Sequence, residues 1–219
     1  ENIYAKRFSV ETPDRLGWRR KLWQVLVDGF FSRWIPRQGT VLDFGCGLGE
    51  FINAVDARRR IGVDLRDGAK AHLASGVEFV VSEDTRMPTL EDQEVDVIFC
   101  SNLLEHLPDR EMVNHLFEEF RRILRPDGRL LILGPNLRYA GVAYWDFFDH
   151  ILPFTEHSLS ESLIVNGFEV ETLHPRFLPY TTVGSSMTPL FLVRWYLRLP
   201  FVWRFFGAQF FAVATPRQA

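Results

Sequence analysis

Apolar residues recur along this chain in two registers, and the register changes after position 36. From Asp14 to Ile35 they fall at 18, 22, 26, 30 and 34 and again at 23, 27, 31 and 35, a broad stripe at helical period. Thr12-Pro13-Asp14 is a helix-start signal, Pro36 and Gly39 close the segment, and the residues before it read as irregular. Beyond it, short apolar runs alternate with amphipathic stretches. Strands are predicted over 40–44, 60–65, 77–82, 95–101, 129–134, 168–173 and 208–214, and helices over 48–56, 67–74, 110–124 and 156–166. Such alternation marks βαβ units and a mostly parallel sheet. Arg125-Pro126-Asp127-Gly128 reads as a turn and Asn166-Gly167 as a helix C-cap. There is no internal repeat and no low-complexity segment.

The first predicted strand runs into Asp43-Phe-Gly45-Cys46-Gly47-Leu-Gly49-Glu50. Glycines at the C-terminal edge of an α/β sheet let the backbone turn sharply and approach a ligand closely. A dinucleotide fingerprint requires Gly-x-Gly-x-x-Gly, with its third glycine at position 50; that residue is Glu, and the third glycine is 49. Asp64 ends the second strand, 19 residues after Gly45, where an acid accepts hydrogen bonds from ribose hydroxyls.

Here the chain resembles the class I S-adenosylmethionine-dependent methyltransferases, whose first motif reads acid-x-Gly-x-Gly-x-Gly. Two further stretches carry the resemblance. Val95-Asp-Val-Ile-Phe-Cys-Ser-Asn-Leu-Leu-Glu-His-Leu-Pro-Asp109 is similar to the fourth-strand motif of the subfamily that includes the quinone-biosynthesis C-methyltransferases, and Leu124 to Ile132 is similar to the approach to the family's fifth strand. The resemblance covers about residues 38–136 and thins afterwards. It implies a three-layer, Rossmann-like α/β fold with sheet order 3-2-1-4-5-7-6 and an antiparallel last strand. It divides the chain into a helical cap over 1–36 and a methyltransferase domain over 37–219 with a helical insertion at about 185–206.

The resemblance also implies S-adenosylmethionine as cofactor. Asp43, Gly45, Gly47 and Gly49 would cradle its methionine part and Asp64 its ribose, with Cys46 and Leu65 also expected at the cofactor. A carboxylate after the third strand, in Ser82-Glu83-Asp84-Thr85, would bind the adenine; spacing to Pro88 does not decide between Glu83 and Asp84, and Asp84 is preferred. Cys100, Ser101 and Asn102 would lie beside the methionine part. The sulfonium is already electrophilic, so the protein mainly holds a nucleophile in line with the methyl group. A base is required only if the acceptor loses a proton at the transition state. His106 is the leading candidate base, its alternative role being to order the loop. Asn136, Tyr139, Tyr144, Asp146, Asp149, His150 and His157 form a dense polar and aromatic cluster after the fifth strand, suited to an acceptor pocket or lid. Asp146 and His150 are its candidate carboxylate–imidazole pair; the alternative is a packed helix with a polar rim. His72, His115 and His174 are expected to be structural or on the surface.

Charge alters the picture locally rather than globally. The net charge of −3 does not suggest nucleic-acid binding, but segment 15–35 carries a net +4 and segment 185–206 a net +3, and both are rich in aromatics. Residues 189–206 hold 13 apolar residues and three arginines, a composition that disfavours spanning a bilayer but suits its interface. Packing over the sheet, with the arginines reaching water, is the alternative. The two cysteines, Cys46 and Cys100, stand in no metal-ligand spacing and read as reduced thiols; no metal site is expected. No signal peptide is read, and because the chain starts at Glu, a missing or processed N-terminus is expected. A cytoplasmic protein with peripheral membrane contact, acting on a small-molecule, glycan or lipid acceptor and not on nucleic acid, is the resulting expectation. The rival readings are a dinucleotide oxidoreductase, an idle cofactor-binding scaffold and a nucleic-acid methyltransferase, the last lacking its Asn/Asp-Pro-Pro-aromatic motif after strand four.

Overall fold

The computed structural model describes residues 12–82, 84–180 and 187–218. Seven strands form one sheet: β1 (Thr40–Phe44), β2 (Arg59–Asp64), β3 (Val77–Val81), β4 (Val95–Ser101), β5 (Leu124–Pro135), β6 (Phe168–His174) and β7 (Gln209–Pro216). Their order is β3-β2-β1-β4-β5-β7-β6. The first five run parallel, and β7 lies antiparallel between β5 and β6. Because it runs against its neighbours, β7 starts at the sheet edge where the parallel strands end: Gln209 pairs with Pro135, the last residue of β5.

The turn expected at 125–128 is present inside the long β5. Val95 pairs with Leu124 and Val97 with Arg129, so one residue of β4 is spanned by four of β5. A Cβ on Gly128 would stand 3.0 Å from the Arg125 carbonyl oxygen, a backbone already folded on itself.

Each face of the sheet is covered. On one side α3 (Arg110–Ile123) and α5 (Glu156–Val165) bury Val113, Leu116, Phe117, Phe120, Leu159 and Leu163 against Leu42, Ile98, Cys100 and Ile132. On the other, α1 (Pro13–Gly29), α2 (Glu50–Ala54), α6 (Leu190–Arg198) and α7 (Pro200–Phe206) pack on Val41, Val97, Phe99 and Leu131. From Val97 to Cys100, past the irregularity at Val95, β4 alternates: Val97 and Phe99 enter one core, Ile98 and Cys100 the other.

The first helix is shorter than its periodicity predicts. The Thr12 hydroxyl caps its start, but it ends at Gly29 and a 3₁₀ turn follows over Phe31–Trp34. Phe30 and Phe31 are both fully buried, and neither continues the helix. Phe30 instead stacks on Phe177 at 4.1 Å and meets Trp203 edge-on at 5.6 Å. Gly29 permits close approach of α6, since a Cβ there would lie 3.0 Å from Leu197. The helical insertion expected at 185–206 is two helices broken at Pro200, and Thr181–Ser186 lie outside the described residues. The cluster after β5 opens with a one-turn helix, α4 (Leu137–Ala140), and continues as a 3₁₀ segment, Gly141–Asp146.

Candidate functional site

All three glycines of the turn after β1 have positive φ: 77° at Gly45, 53° at Gly47 and 69° at Gly49. That region is accessible to glycine without strain, so the spacing encodes the turn. The turn is held to β2 by Gly45 and Cys46, whose N–H groups both donate to the Val63 carbonyl, at 2.8 and 2.9 Å. At Gly47 a Cβ would meet nothing closer than 3.9 Å, so the space beyond it is open. Gly49 serves differently: it caps α2 and faces Leu73 and Asn53.

A cavity of about 970 Å³ begins at this turn and runs across the C-terminal ends of the parallel strands. Of the residues expected at a cofactor, Asp43, Gly45, Cys46, Gly47, Asp64, Leu65, Asp84, Thr85, Ser101 and Asn102 line it. Two of the expected residues that the structure describes do not line it. Gly49 shapes the turn without lining the cavity, and Cys100 points into the α3 side of the core because its strand neighbours Phe99 and Ser101 take the cavity side. Glu83 lies outside the described residues.

Asp43 is 4% exposed and its carboxyl is held up at about 8, chiefly by burial; Asp64 and Glu50 nearby add to this, and the Ile52 N–H opposes it. Burial, with Asp43 and Asp64 adding to it, pushes the Cys46 thiol upward, so it is no nucleophile at neutral pH. Asp64 receives the Gly47 N–H at 2.8 Å, the Arg66 N–H at 3.0 Å and the Arg66 guanidinium at 3.1 and 3.4 Å. Asn102, at the end of β4, has φ 49°, uncommon for a residue with a side chain, and its N–H is fixed by the Leu133 carbonyl at 2.8 Å. The N-terminal helix closes one wall: Arg19 forks onto Glu50 at 2.5 and 2.8 Å, and Arg15, Trp18, Leu22 and Trp23 face the cavity.

The far end of the cavity is built from the turn after β4, the loop after β5 and the start of β7. The Glu105 carbonyl accepts the N–H groups of Ile151 and Leu152 at 2.8 and 3.1 Å, which ties the two loops together. His106 lines the cavity, and its Nδ1 lies 2.9 Å from the Asp149 carbonyl and 3.4 Å from Asp149 Oδ2. His150 is buried between Phe147, stacked at 4.9 Å, and Tyr144 at 4.7 Å, and it also lines the cavity. The Asp146–His150 pair expected from the sequence is not formed in this arrangement. Asp146 is exposed at the end of the 3₁₀ segment and off the cavity, and the carboxylate–imidazole pair is Asp149 with His106.

Two residues at this end escape a sequence reading. Glu105 is 3% exposed, and burial, with Asp149 adding to it against its own N–H, holds its carboxyl up at about 8. Gln209 is 8% exposed; its amide nitrogen donates to the Pro179 carbonyl at 2.9 Å, while Oε1 has no hydrogen-bond partner among the described residues and the side chain lines the cavity. Its signal was the topology, since an antiparallel last strand begins at the ligand-binding edge.

The aromatic segment divides between the alternatives set out for it. Leu197, Trp203 and Tyr196 pack inward, while Phe191, Leu192, Trp195, Phe201, Phe205 and Phe206 are exposed, and Leu192 and Phe206 also line the cavity. Val142, Trp145 and Phe148 are exposed on the loop that carries His150. No helix among the described residues is long and apolar enough to cross a membrane.

In sequence and in fold the chain is similar to methyltransferases. A probable methyltransferase of Aspergillus luteorubrus is 27% identical over 146 residues, 59% of this chain and 50% of that protein. A ubiquinone biosynthesis O-methyltransferase of Xylella fastidiosa is 32% identical over 114 residues, 47% of this chain and 45% of that protein. The chain spans about half the length of these curated relatives. Among solved structures, a chain from the complex between the Haloferax volcanii Trm112 methyltransferase activator and a methyltransferase superposes with TM-score 0.71 at 16% identity, covering 100% of this chain and 99% of that one. A SAM-dependent methyltransferase from Archaeoglobus fulgidus superposes with TM-score 0.65 at 21% identity, covering 90% and 94%. A family model described as a methyltransferase domain matches residues 16–173, from α1 through the glycine turn, Asp64 and His106 to β6; the chain therefore belongs to the methyltransferase domain family.

Proposed function

We propose that this protein transfers the methyl group of S-adenosylmethionine to an oxygen or carbon of an acceptor that is apolar and reached at a membrane surface. The observation that carries this reading is the single cavity joining the glycine turn to a histidine-lined end whose rim is exposed and aromatic. In it, Asp43, Gly45, Cys46 and Gly47 hold the methionine part, with Ser101 and Asn102 across from them. Asp64 and Leu65 would hold the ribose, Asp64 accepting from its hydroxyls in place of the Arg66 guanidinium. Asp84 and Thr85 lie where the adenine would bind. The end lined by His106, His150 and Gln209 would take the acceptor, next to the cofactor's transferable methyl group. Gln209 Oε1 accepts a hydrogen bond from an acceptor hydroxyl or amine, and His106, held by Asp149, takes a proton where the acceptor must lose one.

Methyl transfer of this kind is an in-line displacement. The chain's contribution is alignment and exclusion of water, which α1 and α6 provide from above. The membrane half of the reading rests on charge as well as apolar area. Arg194, Arg198 and Arg204 punctuate the exposed aromatic face with no acid between Met187 and Phe206, as an anionic bilayer surface requires. Calorimetry with S-adenosylmethionine and its demethylated product tests the cofactor half. Flotation with anionic vesicles tests the other: association is expected at low salt, weaker on neutral lipid and weaker as salt rises. No association at low salt would refute the membrane-borne acceptor. Cofactor binding without turnover on any lipid-soluble acceptor would favour an idle scaffold.

A further inference from the structure

Glu105, His106 and His150 each offer one ligand atom to a common point, the three atoms lying within 4.8 Å of one another. They reach it from two separate loops, the 3₁₀ turn after β4 and the loop after β5, which the Glu105 carbonyl ties together. Glu105 and His150 are buried, and all three residues line the cavity at its acceptor end. Exposed acidic clusters arise without any ion, but here a buried carboxyl group and two imidazoles bring their ligand atoms together in one cavity, where a cation would engage all three.

The orientation of His106 points the same way. Its Nδ1 faces the Asp149 carbonyl at 2.9 Å, and a carbonyl only accepts, so Nδ1 carries the proton and the neutral ring keeps its lone pair on Nε2. Asp149 Oδ2, 3.4 Å from the same nitrogen, reinforces that tautomer. An imidazole oriented through its far N–H by a carbonyl and a carboxylate is the usual support of a metal-ligating histidine. His150 is locked between the rings of Phe147 and Tyr144, which fixes its plane. Two imidazoles and one carboxylate, with remaining positions open to a cavity, form a donor set for a divalent transition metal such as zinc.

We infer that Glu105, His106 and His150 bind one divalent transition-metal ion at the acceptor end of the cavity. Its use rests on the methyl-transfer reading. An acceptor hydroxyl at the open position would release its proton to solvent before the cavity closes over it, and the oxygen would form the new O–CH₃ bond. The S–CH₃ bond breaks with its electron pair retained on sulfur, leaving a neutral thioether. The metal would lower the hydroxyl's pKa, and His106 would then act as a ligand in place of the base role it has in the metal-free site.

The test uses the full chain, stripped with chelator and titrated with Co²⁺ and then Zn²⁺. One equivalent of Co²⁺ should bind with visible bands of nitrogen and oxygen ligation, and Zn²⁺ should displace it. Glu105→Gln and His150→Ala should abolish the stoichiometric uptake, and Asp149→Asn should weaken it about 10–100-fold. Binding of the demethylated cofactor in the same samples reports that each variant is folded and tests the methyltransferase reading separately. Wild-type protein that binds the demethylated cofactor but takes up no Co²⁺ or Zn²⁺ would overturn the metal site, as would uptake undiminished in both folded variants. Metal uptake without cofactor binding would leave the site standing and overturn the methyl-transfer reading instead. Wild-type uptake needs no variant, so a His150→Ala protein that fails to fold does not weaken the test.

Discussion

Asp43→Asn should change how stability depends on pH, and the sign follows from its environment. In the unfolded chain this carboxyl ionises near pH 4; in the folded protein burial keeps its proton until about pH 8. Between these values the unfolded state binds one proton fewer, so stability falls as pH rises and levels off above about 8. One proton corresponds to about 1.4 kcal/mol per pH unit. Asparagine is a neutral isostere of the protonated acid and has no such dependence. From pH 5 to pH 7 the variant should therefore gain about 2.7 kcal/mol relative to the wild type. Glu105 has the same kind of raised pKa, but it is present in both proteins and cancels in the difference. Urea unfolding at pH 5, 6 and 7 without cofactor reads the effect, and a difference that does not vary with pH would refute the buried, protonated state of Asp43. The cofactor supplies the complementary test. Its ammonium and sulfonium favour the ionised carboxylate, so binding should release a proton below pH 8 and tighten as pH rises. Calorimetry in two buffers of different ionisation enthalpy detects that proton, and Asp43→Asn should abolish it.

Asp64→Ala should weaken binding of both S-adenosylmethionine and its demethylated product about tenfold or more, the effect of losing a hydrogen bond to a charged group; unchanged affinity in calorimetry would remove Asp64 from the ribose site. Gly47→Val should abolish cofactor binding. A Cβ there meets no protein atom closer than 3.9 Å, so the side chain would fill the open space of the cavity, although φ of 53° adds backbone strain; wild-type affinity in a folded variant would show that the cofactor does not approach this turn. Both variants leave the aromatic rim intact, so vesicle flotation with either protein should match the wild type, and a loss of flotation would tie lipid contact to an occupied cofactor site.

What the sequence made legible, and what it did not, divides along the range of the interactions involved. The glycine turn was readable because each glycine answers a local demand, a positive φ at 45, 47 and 49. Asp64 was readable because strand length and alternation carry it to a known edge. Sheet order came with the family resemblance rather than from periodicity, which cannot say that β7 inserts between β5 and β6. Asp146 and Asp149 lie three residues apart in a stretch without helical or strand period, so nothing local says which one meets His106. The choice is made across the chain, where the Glu105 carbonyl pins Ile151 and Leu152 and so brings Asp149 to the ring. Cys100 shows the opposite error: the alternation that places Phe99 and Ser101 on the cavity already sends it to the other core. Gln209 combines both lessons. Its neighbours mark it only as the first residue of an apolar strand, but an antiparallel strand at this place in the sheet must begin where the parallel ones end. The expected topology thus already put a polar side chain at the acceptor end, and the unpartnered Oε1 is what that placement produces.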